Sequence, residues 1–304
     1  MYEAHFGLNQ PPFSLSPDTA LFVRLDDHEA CYQLLTHVLN TGEGFLKVIG
    51  DVGTGKTILC RRLLRYLSDD HLAAERFHSV YLPNPMLSPV GLYRAVGQEL
   101  GLSVPMKTDN AALLEQINQQ ILNLAQQQRG VVVVVDEAQS LPANTLEALR
   151  LITNLETEQQ KLVQVILFGQ PELDDLLNQN RFRQLRQRIT FAHYLQPLSR
   201  TAMRQYLDFR LTHSGYNGPS LISDRTLKRL HRLSGGVPRM INVLTHKALL
   251  SAFADKRFQL SPGDVDRAWR DSRPRINSRR PWLAPVLAGA AVSLLAMITV
   301  WSLL

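Results

Sequence analysis

Cysteine is scarce in this sequence, since only Cys31 and Cys60 occur among 304 residues. Two thiols cannot form the disulfide framework of a small secreted domain, so we expect both to be small, buried residues in a reducing compartment. The N-terminus, MYEAHFGLNQPPFSLSP, has no apolar stretch, which argues against a secretory signal. Proline and glycine are at ordinary levels and 45% of the residues are hydrophobic, which excludes collagen-like and wholly disordered chains.

Net positive charge is also scarce outside one short segment. The chain carries +6, but residues 270–280 hold five Arg and one Asp, which leaves +2 for all other residues. A protein that binds nucleic acid needs Lys or Arg along the surface that meets phosphate. The nearly neutral body therefore argues against nucleic acid as a partner.

Residues 282–304, WLAPVLAGAAVSLLAMITVWSLL, contain no charge at all. As a helix they would be about 34 Å long, enough to cross a hydrocarbon core of about 30 Å. We expect a transmembrane helix here in contact with membrane lipid, preceded by a basic juxtamembrane linker at 271–281. By the positive-inside rule, the protein would be a single-pass protein of the inner (cytoplasmic) membrane with its body in the cytoplasm. A buried core helix is the alternative.

Between residues 44 and 197, apolar runs alternate with helical periods. Five consecutive valines, Val131–Val135, are typical of a buried parallel strand. The alternation predicts an α/β fold, with a parallel five-stranded sheet flanked by helices. The strands are expected at Phe45–Ile49, His78–Leu82, Val131–Val135, Leu162–Phe168 and Ile189–Leu195. The intervening helices are expected at Thr57–Leu67, Pro89–Leu100, Ala111–Gln128, Thr145–Leu155 and Glu172–Leu177.

After Pro197 the strand-like runs stop. Ser261 and Pro262 have the residue types of an N-cap and a first helical turn. The predicted domains are an α/β domain at 1–197 and an all-helical lid at 198–270. The lid helices are expected at Ser199–Ser214, Ser223–Ser234, Val237–Ala254 and Ser261–Arg270.

A phosphate-binding motif follows the first predicted strand. Residues 50–57 read GDVGTGKT, which matches G-x-x-x-x-G-K-[ST] between an apolar strand and an amphipathic helix. The glycines let backbone N–H groups close around phosphate oxygens, and the helix N-terminus adds positive potential. Lys56 would reach the β- and γ-phosphates, and Thr57 would bind Mg²⁺. The residues predicted to contact nucleotide are Gly50, Asp51, Val52, Gly53, Thr54, Gly55, Lys56, Thr57 and Ile58.

The sequence VVVVVDEAQ supplies the second half of this site. Asp136 follows the valine strand, at the edge where open α/β sheets bind ligands, and would hold Mg²⁺. Glu137 would orient and deprotonate an attacking water. A simple loop start is the alternative for this acidic pair. Together with the phosphate motif, the pair favours hydrolysis over binding alone.

With these motifs the sequence resembles the AAA+ ATPases, which are P-loop NTPases, and within them the general secretion pathway A (ExeA-type) family. The further segments that carry the resemblance are HFGLNQPPFSLSPD, ILFGQPEL, LRQRI followed by YLQPLSR, and GGVPRMIN. The resemblance covers roughly residues 1–270. It implies ATP and Mg²⁺ as cofactors and an ATPase activity.

The resemblance also implies roles for single residues. Gln170 falls at the sensor-1 position, and Arg239 falls at sensor 2 on a lid helix. Arg188, with Arg186 as the second choice, falls where an arginine finger is offered to a neighbouring subunit. Pro12-Phe13 and a helix that begins near His28 would wall the adenine pocket, although an ordinary helix position is the better interpretation of His28 itself.

The function implied is that of a membrane-anchored ATPase that supports assembly of a cell-envelope machine, either a type IV pilus or a type II secretion system. It would self-associate with ATP, with a hexamer as one candidate, and bind inner-membrane components of that machine. Members of this family often continue beyond the span into a peptidoglycan-binding domain; the sequence stops inside the predicted span, which favours the pilus-biogenesis type. The alternatives are a DNA-associated ATPase of the transposition-regulator or clamp-loader type and a nucleotide-gated scaffold with little turnover.

Overall fold

The computed structural model of the chain describes residues 2–14, 22–83, 86–105, 109–154 and 161–272. The chain divides into two compact units, Met1–Trp269 and Arg270–Leu304, and the sheet lies in the first. The predicted span at 282–304 and the linker from residue 273 onward lie outside the described residues, so both stay predictions. Within the described ranges, no helix is both long enough and apolar enough to cross a membrane.

One five-stranded sheet forms the centre of the first unit. Its strands run in the order β2-β3-β4-β1-β5, and every neighbouring pair is parallel. This confirms the predicted parallel sheet, and each strand lies within one residue of its predicted bounds. The strands are β1 Phe45–Ile49, β2 Phe77–Leu82, β3 Gly130–Val135, β4 Val163–Gly169 and β5 Ile189–Tyr194.

The valines of β3 explain why helices cover both faces of the sheet. Side chains alternate between faces along a strand. Val131, Val133 and Val135 therefore belong to one buried apolar cluster, and Val132 and Val134 belong to another. The first cluster includes α5 (Pro89–Glu99), α6 (Asn110–Gln126), α7 (Ala143–Ile152) and α8 (Glu172–Leu177). The second includes α2 (Asp26–Thr41) and α3 (Lys56–Asp69), and Cys31 and Cys60 are buried within it.

Side-chain caps fix several helix starts. Asp109 accepts hydrogen bonds from two backbone N–H groups at the start of α6, and Ser88 accepts one at the start of α5. Ser261 accepts from the backbone N–H of Asp264, as its residue type predicted. Helix α2 begins at Asp26, near the start at His28 that the resemblance implied. Three short helices were not predicted, because each has too few residues to repeat on one apolar face. These are α1 (Glu3–Phe6), α4 (His71–Arg76) and α9 (Arg183–Arg188).

The last four helices and the N-terminal segment share a third apolar cluster. Met203, Ile241 and Val265 from these helices are buried in it together with Tyr2 and Phe13. The segment before the sheet thus packs with the helices predicted as a lid. The domain boundary at 197/198 stays a prediction. The four helices are α10 Arg200–His213, α11 Asp224–Ser234, α12 Pro238–Ala254 and α13 Pro262–Ser272.

Candidate nucleotide-binding site

The candidate site lies where three adjacent strands end. The order β3-β4-β1 brings together the loop 50–55 after β1, Asp136 and Glu137 after β3, and Gln170 after β4. Because the strands are parallel, their carboxyl ends meet at one edge of the sheet, where ligands of open α/β folds bind. Segments more than thirty residues apart in sequence are therefore neighbours in space.

The loop 50–55 takes a conformation that requires glycine. Gly53 and Gly55 have φ values of 85° and 109°, in the left-handed region that residues with a side chain rarely adopt. The loop then leads directly into α3, whose first residue is Lys56. Lys56 Nζ donates hydrogen bonds to the backbone oxygens of Gly50 (2.6 Å) and Asp51 (3.0 Å). The loop thus curls around its own lysine, as a phosphate-binding loop requires.

Lys56, Thr57 and Asp136 form a buried polar group at the base of the loop. Lys56 and Asp136 are each 4% exposed. Burial raises the pKa of Asp136, against hydrogen bonds from the Thr57 hydroxyl and from the backbone N–H of Glu137. Burial lowers the pKa of Lys56, against the attraction of Glu137 and Asp136. A pKa that is shifted by burial and by a nearby opposite charge is typical of a functional site.

Two glutamine side chains hold Glu137. Gln139 Nε2 donates to Glu137 Oε2 at 2.5 Å, and Gln170 Nε2 donates to the same oxygen at 3.0 Å. Gln139 Oε1 in turn accepts from the backbone N–H of Gln170 at 3.0 Å. Burial alone would raise the pKa of Glu137, but the two amide hydrogen bonds and the charge of Lys56 outweigh it and lower the pKa. Glu137 is therefore kept as a carboxylate.

The backbone of Glu137 is itself unusual. Its φ is 52°, in the left-handed region, which costs free energy for any residue with a Cβ. Such conformations cluster at functional sites, where the surrounding structure holds them in place. The conformation directs the chain away from β3 directly after Asp136 and leaves Glu137 at the wall of a cavity.

This cavity, of about 410 Å³, lies over the loop. Its walls are the segment before the sheet with α2, the loop with the start of α3, and the helices α10 and α12, together with Glu137. The first turn of α12 touches the loop, because the backbone N–H of Arg239 donates to Gly53 O at 3.2 Å. The lining residues are Ser14, Phe22, Val23, Leu25, His28, Val52, Gly53, Thr54, Gly55, Lys56, Thr57, Ile58, Glu137, Tyr206, Arg210, Pro238, Arg239 and Asn242. Most predicted nucleotide contacts, with Glu137 and Arg239, therefore face one space.

The remaining predicted residues lie outside the cavity wall. Gly50 and Asp51 accept hydrogen bonds from Lys56, Asp136 lies behind Thr57, and Gln170 reaches Glu137 from β4. They support the residues that line the cavity.

Neither candidate finger is part of the cavity of its own chain. Arg188, at the end of α9, donates to the backbone and side-chain oxygens of Thr153 at 3.3 and 3.1 Å. Arg186 donates to Asn178 and is exposed. The predicted wall Pro12-Phe13 is displaced from the cavity too, since Phe13 is buried in the third cluster and Pro12 O accepts from Arg210.

Gln139 and Arg210 were given no role from the sequence, and His28 was given one only through the helix that begins near it. His28 Nε2 lies 2.9 Å from Thr54 O, beside the loop, so His28 is a wall of the cavity and not an ordinary helix residue. Gln139 was visible only as part of the run DEAQ. Arg210 lies mid-helix with no local motif. Only its burial at the cavity, which depends on the tertiary structure, distinguishes it from other arginines.

The residues present fit Mg²⁺ and a nucleotide. Within the described ranges, no group of three or more His, Cys, Asp or Glu could hold a metal. A cation here would depend on Thr57 and Asp136 together with water and phosphate oxygens, which is the usual manner of binding Mg²⁺ with nucleotides. When bound, Mg²⁺ neutralises charge that develops on the phosphates.

The sheet order, the glycine loop and the acid after β3 define a P-loop NTPase fold. The family model described as "AAA domain" matches residues 39–177, from α2 to α8. The chain is also 39% identical, over 99% of its length, to general secretion pathway protein A of Aeromonas hydrophila. It spans about half of that relative, 54% of its length.

Solved structures share the fold at low sequence identity. Cdc6p of Pyrobaculum aerophilum matches with a TM-score of 0.64 and 17% identity, over 84% of this chain and 71% of that one. The ORC1 protein of Aeropyrum pernix, solved with DNA, matches with a TM-score of 0.62 and 19% identity, over 86% and 69%. RuvB, the Holliday junction branch migration motor of Thermotoga maritima, matches with a TM-score of 0.53 and 17% identity, over 86% and 73%. At such identities the likeness concerns the fold alone.

Proposed function

We propose that this chain binds ATP with Mg²⁺ and hydrolyses it. The observation that carries the proposal is the convergence of a phosphate loop, a carboxylate and a lid arginine on one cavity. Lys56 and the loop amides would bind the phosphates, and Thr57 with Asp136 would hold the metal ion. Arg239 would reach the γ-phosphate from α12.

Glu137 would act as the general base on the attacking water. Its lowered pKa keeps it deprotonated at neutral pH, the charge state that a base requires. Gln170, which donates to the same carboxylate, would orient that water or the γ-phosphate. A binding-only scaffold would have no need of such a held carboxylate.

We further propose that the ATPase serves a cell-envelope machine of the type II secretion or type IV pilus kind. Identity of 39% to general secretion pathway protein A extends across 99% of this chain, which supports membership of that family. Within that family, we propose that this protein is of the same type as the mannose-sensitive haemagglutinin pilus biogenesis protein M. Residues 282–304 would anchor the protein in the inner membrane, with residues 1–281 in the cytoplasm.

The protein would act as an ATP-dependent oligomer. Arg188 is half-buried and lies outside the cavity of its own chain, which supports a role toward the nucleotide of a neighbouring subunit. The domains at 1–197 and 198–270 would change their relative position with hydrolysis and so alter the contact with a partner.

A paired substitution tests the activity. Glu137→Gln should still bind ATP but lose about 10²–10⁴-fold in turnover, because a positioned base contributes that much. Lys56→Ala should lose ATP binding itself. Glu115→Gln, which alters an exposed carboxylate on α6, is the matched control and should keep normal turnover. Wild-type turnover in both Glu137→Gln and Lys56→Ala would refute the assignment of the site.

A DNA-associated role is the second candidate, favoured by the fold likeness to ORC1 solved with DNA. A near-neutral body opposes it, because non-specific DNA binding depends on many Lys and Arg contacts. Fluorescence anisotropy with duplex DNA at about 150 mM salt should show no binding, with or without ATP. Tight binding that weakens steeply with salt would favour the DNA role instead.

A further inference from the structure

Arg210 stands apart from the other arginines that the structure describes, because it is buried at the nucleotide cavity with one nitrogen unused. It lies on α10 and is 5% exposed. Its Nε donates to Pro12 O at 2.6 Å, and its Nη1 donates to Tyr206 Oη at 3.4 Å. Its Nη2 is buried and has no hydrogen-bond partner among the described residues. Since Arg210 lines the cavity, Nη2 is a candidate donor to a bound ligand.

The place of Arg210 can be followed from the phosphate loop. Arg239 meets Gly53 at the start of α12, and Asn242 lies about one helical turn further along that helix. Asn242 Oδ1 accepts from Tyr206 Oη at 2.8 Å, and Arg210 is about one turn beyond Tyr206 on α10. The chain of contacts therefore links Arg210 to the phosphate loop through α12 and Tyr206.

The apolar part of the lining suits a planar ring better than a phosphate. Phe22, Val23, Leu25 and the ring of Tyr206 line the cavity together with the phosphate loop and Lys56. A guanidinium has donors and no acceptor, so the ligand group it meets must be an acceptor. The ring nitrogens of a purine are acceptors that fit an apolar, aromatic wall.

His28 supplies a complementary atom. Its Nε2 faces Thr54 O, a carbonyl that can only accept, so Nε2 carries the hydrogen and Nδ1 of the neutral ring is an acceptor. Burial lowers the pKa of His28, which favours the neutral ring. Its Nδ1 is also buried without a partner among the described residues. The cavity thus offers one free donor and one free acceptor, and adenine presents ring acceptors and an amino donor.

We propose that Arg210 is a base-recognition residue, whose Nη2 donates to a ring nitrogen of the bound adenine while Nε holds the N-terminal segment at Pro12. This rests on the proposed function, namely that the cavity binds ATP. Arg210 thereby sets base preference, separately from the groups that bind phosphate.

The test is a double-mutant cycle in which Arg210 is changed on the protein and one ring nitrogen of adenine is changed on the ligand. Binding of ADP and of its 1-deaza, 3-deaza and 7-deaza analogues is measured by calorimetry on the full chain, wild type and Arg210→Met. We expect wild type to lose about tenfold in affinity for one analogue. Arg210→Met should bind ADP about tenfold more weakly and should no longer distinguish that analogue from ADP.

Controls separate this from folding and from phosphate contacts. Arg204→Met, on the same helix but bonded to Ile222 O and Asp224, should match wild type toward every ligand. Inorganic tripolyphosphate should bind equally to wild type and Arg210→Met. If Arg210→Met does not fold, the cycle is measured with Arg210→Lys, which keeps the charge but lacks the fork of donors.

Three outcomes overturn the proposal. The first is a wild type that distinguishes none of the analogues, and the second is a variant that retains the full discrimination. The third is an Arg210→Met variant whose affinity for tripolyphosphate falls as much as its affinity for ADP. The last outcome would make Arg210 a phosphate ligand. Failure of wild type to bind ADP or ATP at all would instead refute the proposed function.

Discussion

Replacing Gly53 by alanine tests the contact between the phosphate loop and the first turn of α12. A Cβ built on Gly53 lies 2.5 Å from Arg239 Cβ, and 3.3 Å from both Arg239 Cδ and Val237 Cγ1. Carbon atoms in contact prefer about 3.5–4.0 Å. The start of α12 would therefore have to retreat by about 1 Å, which would also stretch the 3.2 Å hydrogen bond from Arg239 N to Gly53 O.

The matched control is Gly42→Ala at the end of α2. Gly42 has a φ of 76°, close to the 85° of Gly53, but no heavy atom lies within 4 Å of its built Cβ. Both variants share the left-handed strain of about 1–2 kcal/mol, less about 0.4–1 kcal/mol from the stiffer unfolded chain. Only Gly53→Ala adds overpacking, which typically costs about 1–3 kcal/mol.

We therefore expect Gly53→Ala to be less stable than Gly42→Ala by about 1–3 kcal/mol in urea unfolding followed by circular dichroism. Because Arg239 moves with α12, Gly53→Ala should also bind ATP about tenfold more weakly in calorimetry, while Gly42→Ala should bind like wild type. Equal stability losses and unchanged ATP affinity in both variants would refute the argument, since they would mean that α12 does not rest on the loop.

Other parts of the molecule give further tests. Gln139→Ala removes a hydrogen bond that lowers the pKa of Glu137, so the acidic limb of the ATPase pH profile should move to higher pH; an unmoved limb would exclude Glu137 as the titrating base. Arg188→Ala should bind ATP normally, yet its turnover per subunit should stay low as protein concentration rises, unlike that of wild type. The full chain should sediment with the inner membrane and resist carbonate, whereas a chain ending at Asp271 should be soluble and active; carbonate release of the full chain would reject the anchor. Asp264→Asn should destabilise the chain by about 1.5–3 kcal/mol at neutral pH, because it weakens hydrogen bonds to a charged group whose arginine partners stay solvated. Burial raises the pKa of Asp264, but hydrogen bonds from Arg257, Ser261 and Ser251 outweigh it and lower the pKa. Wild type should therefore keep this contribution above about pH 4 and lose it as the pH falls further.

Much of the fold could be predicted because its signals are local. A buried strand such as β3 needs apolar, β-branched residues at every position, and these are visible as a run in the sequence. The phosphate loop is likewise a local structure, since its glycines, Lys56 and the start of α3 are consecutive. Helices α4 and α9, with six residues each, have too few turns for periodicity to be recognised.

The sequence by itself determined the sheet, the loop and the identity of the acidic pair, because each depends on neighbours along the chain. Only the tertiary structure decided what meets across the cavity. Gln170 reaches Glu137 because β4 lies next to β3, and strand order is not written in any local pattern. Arg210 and His28 belong to the site through tertiary packing. Their burial and their unpartnered hydrogen-bonding atoms arise only when distant segments pack together.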